Sequence, residues 1–189
     1  NTGLLKSDFS PTGNATVRKP EWLDEFCAKY TDSTVHHVTL KQSCYLEDDA
    51  LPDVKDALAY FFASVPVPEH KIELLFNDLV LDDRSAEQKT IMINAQYQTR
   101  IHDLQRGILS VLAPHKNYVN KESKVWEEDF KPHITIAADI TSTRYQEALL
   151  ELGNSYACKG VIRDVSLIVI DRIDPEEADR PENQTVYCL

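Results

Sequence analysis

Apolar residues recur at helical spacing in four stretches of the chain and form shorter, partly alternating runs between them, so the pattern predicts a mixture of helices and strands. Trp22, Leu23, Phe26 and Tyr30 share one side of a helix over 20–30, with Pro20 at its first turn and Glu21 and Asp24 early in it. A second helix over 52–64 turns Val54, Leu58, Phe61 and Phe62 inward and is ended by Pro66 and Pro68. The third, over 99–113, carries Ile101, Leu104, Ile108, Leu109 and Leu112, and the fourth, over 142–152, stops at Gly153-Asn154. Strands are expected over 35–46, 71–81, 90–95, 131–137, 161–170 and 184–189. Residues 1–19 read as an irregular arm, and 114–130 as loop anchored by Trp126 and Phe130.

Two of these strands open alike. Val35-His36-His37-Val38-Thr39-Leu40 and Lys131-Pro132-His133-Ile134-Thr135-Ile136 both contain His-x-Thr inside an apolar segment. Side chains alternate between the faces of a strand. His37 and Thr39 therefore share one face, as do His133 and Thr135, while Val38, Leu40, Ile134 and Ile136 face the core. After each copy the order helix, strand, strand follows. The expectation is a duplication whose halves, 35–113 and 114–189, pack face to face across a pseudo-twofold cleft, with 1–34 as an arm and helix laid on them. Packed so, the motif strands would meet.

Composition adds limits. The 189 residues suit one domain or two tightly packed lobes, and 42% hydrophobic residues are enough for a core. A net charge of −11 argues against a surface that tracks the phosphates of a long duplex, so a nucleotide ligand would be gripped locally. Cys27, Cys44, Cys158 and Cys188 are far apart and lack metal-ligand spacing, which reads as free, mostly buried thiols in a cytoplasmic protein. No apolar run is long enough to span a bilayer, and no signal-peptide pattern opens the chain. The acidic pairs Asp48-Asp49, Asp82-Asp83 and Glu127-Glu128 read as solvated turn residues, so no metal is expected, and the glycines are isolated, with no phosphate-binding loop.

The paired motifs, about a hundred residues apart and each opening a strand-helix-strand-strand unit, resemble those of the two-histidine phosphoesterase superfamily. That superfamily includes 2′-5′ RNA ligase-like proteins and 2′,3′-cyclic nucleotide phosphodiesterases. The run Phe130-Lys131-Pro132-His133-Ile134-Thr135 carries the resemblance most specifically, because an aromatic and a Pro commonly precede the second motif. An Arg found soon after that motif in the RNA ligase-like branch is absent, its region holding Ala137, Ala138 and Asp139. The resemblance implies a bilobed α+β fold around a central groove lined by His37, Thr39, His133 and Thr135.

It also implies a chemistry that these residue types can perform. Opening a cyclic phosphodiester with water needs a base for the nucleophile and an acid for the departing ribose oxygen, and two histidines supply both near neutral pH. Thr39 and Thr135 would donate hydrogen bonds to non-bridging phosphate oxygens. Lys41 continues the face of His37 and Thr39 in an ideal strand and is a candidate phosphate contact. Tyr45, Tyr118, Trp126 and Phe130 are candidates for nucleobase stacking. His36 should point to the opposite face, and His70, His102 and His115 have no motif partner. The expected protein is a monomeric, metal-independent and cofactor-free phosphodiesterase acting on nucleotides or RNA ends. A non-catalytic nucleotide-binding module and a 2′-5′ RNA end ligase are the alternatives.

Overall fold

The computed structural model describes residues 2–12, 20–31, 36–65, 71–82, 88–115, 117–170 and 175–189, with 2–12, 20, 175 and 176 described by their backbone alone. The elements run β1 (Thr2–Thr12), α1 (Pro20–Tyr30), β2 (His37–Tyr45), α2 (Leu51–Ser64), β3 (Ile72–Asp82), β4 (Lys89–Ala95), α3 (Thr99–Val111), α4 (Ser123–Glu128), β5 (His133–Ile140), α5 (Ser142–Leu152), β6 (Cys158–Ile170), α6 (Pro175–Ala178) and β7 (Gln184–Cys188). Short 3-10 turns precede α2 and β7. The fold is α+β, as expected.

Local chemistry sets several boundaries. Thr141, in extended conformation, caps α5 by accepting the Arg144 N–H on its hydroxyl at 3.4 Å, and Gly153 ends the helix at φ 55 and ψ −140, a conformation that suits glycine. Pro52 sits in the first turn of α2, where a missing N–H costs nothing. The Pro66 and Pro68 stops, Val35 and His70 lie outside the described residues.

All strand pairs are antiparallel, in the order β2-β1-β6-β3-β4-β5 with β7 on β6. The N-terminal segment is therefore not an irregular arm, because residues 2–12 form a strand between β2 and β6. Its sequence shows no alternation of its own; pairing on both edges makes it a strand. β6 likewise begins three residues before the expected Val161, because Cys158 to Gly160 pair with Phe76 to Leu74 of β3. The segment 114–130 contains α4, a helix too short to announce itself by periodicity.

Leu23 and Phe26 of α1, Leu58 of α2, Phe76 of β3, Ile93 of β4 and Ile134 of β5 belong to one continuous buried core. Around the sheet, α1 packs on β5, α3 and α4 pack on β2, and α5 lies against β4 and β5. β2 and β5 stand at opposite ends of the strand order, yet they approach to Cα separations of 8 Å or less. The sheet therefore curls until the motif strands come together.

The expected twofold is not carried through the pairing. β4 joins β3 at Phe76, two residues beyond Leu74, whereas β7 joins β6 at Asp164, four beyond Gly160, the residue paired with Leu74. The two motif strands are placed differently, since β5 pairs with β4 whereas β2 pairs with β1 rather than β7.

Candidate active site

The motif side chains alternate as their sequence dictates. On β2, Val38 and Leu40 are buried and His37 and Thr39 half-buried; on β5, Ile134 and Ile136 are buried and His133 and Thr135 half-buried. Each strand bulges directly after its Thr. Pairing with β1 steps from Lys6–Thr39 to Leu5–Lys41 and passes over Leu40, while pairing with β4 steps from Met92–Thr135 to Ile91–Ala137 and passes over Ile136. A bulge sets two residues against one and resets the alternation. Leu40 and Lys41 are both buried as a result, and so are Ile136 and Ala137.

The bulge corrects the expectation for Lys41. It leaves the His37–Thr39 face, is only 3% exposed and lies 2.8 Å from Glu127 Oε1 in an ion pair. It is not placed as a phosphate contact.

His133 is held through one ring nitrogen. Its Nδ1 lies 2.8 Å from the Lys131 carbonyl oxygen. A carbonyl can only accept, so in this hydrogen bond Nδ1 carries the hydrogen. His36 turns instead to α1, with Nε2 2.8 Å from Asp24 Oδ1 and its ring 8% exposed.

Glu127 does not belong to a solvated acidic pair, as its neighbour Glu128 does; it is buried. Through Oε1 it accepts from the Gln42 N–H at 2.7 Å and Lys41 Nζ at 2.8 Å, and through Oε2 from the Tyr118 O–H at 2.7 Å. Four acceptor sites on a carboxylate can satisfy three donors, so burial is tolerated. Burial, followed by the hydrogen bond to the Glu127 carboxylate, pushes the Tyr118 phenol well above its ordinary pKa. The sequence signal was a carboxylate three residues before a half-buried Phe130, too common a pattern to single out.

The four aromatic candidates part into two groups. Tyr118 and Phe130 line a cavity of about 380 Å³ between α3, α4 and β2, together with Lys41, His102, Arg106 and Glu127. None of the four motif residues lines it. The His102 ring stacks on Tyr97 at 4.5 Å and meets Phe130 edge-on at 5.2 Å, and burial, then the nearby Arg106 charge, lowers its pKa. Tyr45 and Trp126 are 50% and 46% exposed, whereas Glu127 of the same segment as Trp126 is buried. Cys27, Cys44 and Cys158 are buried free thiols and Cys188 is an exposed one. Among the described residues no group of three His, Cys, Asp or Glu side chains is arranged to hold a metal ion, and no helix is long and apolar enough to cross a membrane.

Two matched His-x-Thr strands at the meeting ends of one curled antiparallel sheet make an α+β fold of the kind that the sequence resemblance implies. The family model of the 2′-5′ RNA ligase superfamily matches residues 14–174, and the chain belongs to that superfamily. Its structure is similar to that of Usb1 from Kluyveromyces marxianus, at a TM-score of 0.56 and 7% identity over 100% of this chain and 98% of that one. The same protein solved with uridine monophosphate gives a TM-score of 0.58 at 7% identity, over 100% and 99% of the two chains. None of the curated proteins matches the chain.

Proposed function

We propose that the chain is a phosphodiesterase that hydrolyses 2′,3′-cyclic phosphates, or related 2′-5′ linkages, of nucleotides or RNA ends by general acid–base catalysis with His37 and His133. The carrying observation is the matched setting of the motifs, each a half-buried His and Thr on one face of a strand with a bulge directly after the Thr. One imidazole takes the proton of the attacking water as its oxygen bonds to phosphorus. The other protonates the ribose oxygen as its bond to phosphorus breaks, leaving a ring-opened monoester. Thr39 and Thr135 donate to the non-bridging oxygens, where negative charge grows. The chemistry calls on no metal. The exposed rings of Tyr45 and Trp126 are the stacking candidates for a base.

Membership of the superfamily supports a role in phosphoester chemistry, and a protein of this fold solved with uridine monophosphate fits a ligand of nucleotide size. The net charge of −11 favours a small nucleotide or an RNA terminus over a long duplex, with the chain acting as a monomer.

The test is incubation with the four nucleoside 2′,3′-cyclic monophosphates and a short RNA ending in a cyclic phosphate, with the phosphate position in any product identified. Turnover should follow a bell-shaped pH profile that persists in chelator. His37→Ala and His133→Ala should each lower kcat by about 10²- to 10⁴-fold. Binding without turnover would make the chain a recognition module, and activity abolished by chelator would refute the metal-free mechanism.

A further inference from the structure

We propose that Glu127 is a positioning residue that sets the placement of the two motif strands relative to each other; this rests on the catalytic reading of those strands. Glu127 ties three parts of the chain to α4. Oε1 holds the Gln42 N–H and the Lys41 ammonium on β2, and Oε2 holds the Tyr118 hydroxyl. Its own carbonyl oxygen accepts from Gln105 Nε2 of α3 at 3.3 Å.

The chain around it is laid along β2. Asn117 and Val119 exchange backbone hydrogen bonds with Tyr45 and Ser43 at 2.8 and 3.0 Å, and Tyr118 bridges Cys44. Beyond this short added strand, the Glu127 carboxylate accepts a further β2 amide, that of Gln42. Lys41 is also wedged, with its ammonium 3.1 Å from the Gln42 carbonyl oxygen and 4.3 Å from the centre of the Tyr118 ring.

From this junction the chain runs both ways into the motifs. Lys41 lies directly beyond the bulge that follows Thr39, and His133 lies six residues after Glu127, at the end of the segment through Phe130 and Pro132. A displacement of α4 therefore moves the lead into β5 against β2. Catalytic groups that must share one phosphoryl group lose rate steeply with misplacement, about 10²-fold for 1 Å. Stability alone is a poor reason for such a pair, since a buried ion pair is often replaced by apolar groups without loss, whereas removing one partner leaves an uncompensated charge.

The test compares Glu127→Gln, Lys41→Met and the double variant. Glutamine can still accept from the Gln42 N–H and donate to the Tyr118 oxygen, so with Lys41 gone the junction is complete again. Each single variant should lower kcat on a cyclic phosphate by about ten- to a hundredfold, with KM and the limbs of the pH profile unchanged. The double variant should restore kcat to near wild type. The ¹H–¹³C resonances of the His37 and His133 rings at fixed pH give a readout independent of turnover. Both should shift in each single variant and return in the double.

Folded single variants with wild-type kcat and unmoved ring resonances would overturn the proposal, as would a loss that the double variant fails to restore. A wild-type chain that turns over no cyclic phosphate would sink the catalytic reading alone. The ring resonances would still decide whether Glu127 positions the strands.

Discussion

Gly107 lies where α3 crosses α2, and a methyl group there would meet the Phe61 ring. A Cβ built on its backbone lies 2.4 Å from Phe61 Cζ and 2.5 Å from Cε2. Carbon atoms in contact sit about 3.5–4.0 Å apart, so the ring would have to retreat by roughly 1 Å. It is hindered by Phe62, whose ring lies 5.2 Å away in an edge-on arrangement. Two effects oppose each other in Gly107→Ala. Alanine gains about 1 kcal/mol over glycine inside a helix, and overpacking costs about 1–3 kcal/mol. The expected net result is a loss of about 1 kcal/mol. In a Phe61→Ala background the obstacle is gone, and the same substitution should stabilise by about 1 kcal/mol. Urea unfolding of wild type, both single variants and the double variant would measure this reversal of sign as a coupling of about 2 kcal/mol. Stabilisation by Gly107→Ala with Phe61 intact, or strict additivity across the cycle, would refute the reasoning.

Further expectations concern the thiols and one helix cap. Burial pushes the Cys27 and Cys158 thiols from an ordinary 9.0 up to about 12, so the folded state keeps protons that the unfolded chain loses. Stability should be intact below pH 9 and fall as pH rises towards 12, and Cys27→Ala should flatten that slope in urea titrations across this range. Of the four thiols only Cys188 is exposed, and its hydrogen bond to the Asp164 carboxylate raises its pKa. A thiol reagent at pH 8 should therefore modify one site per native chain, slowly, and Asp164→Asn should speed it. Thr141→Ala removes the cap of α5 and should cost about 0.5–1 kcal/mol by thermal unfolding, at the low end for a cap because the bond is long.

What the sequence made legible was what its own neighbours decide. The α5 helix runs over the expected 142–152 because Thr141 and Gly153 mark both ends. The faces of His37, Thr39, His133 and Thr135 follow from strand alternation alone. Features made by distant partners stayed hidden. β1 has no pattern of its own and becomes a strand between β2 and β6. The bulges at Leu40 and Ile136 arise from register against other strands, and missing the first put Lys41 on the wrong face. Glu127 looked like one of two solvated acids because its partner Lys41 lies 86 positions away.

The seat of β1 bears on how the protein is made. Its residues leave the ribosome before those of β6, one of its two neighbours, which begins at Cys158. At about 5–20 residues per second, roughly ten to thirty seconds of synthesis pass before that edge can be matched. During that wait the strand bearing His37 belongs to a sheet with its middle missing. A pairing across so much intervening chain closes late and slowly compared with the local contacts of a helical bundle.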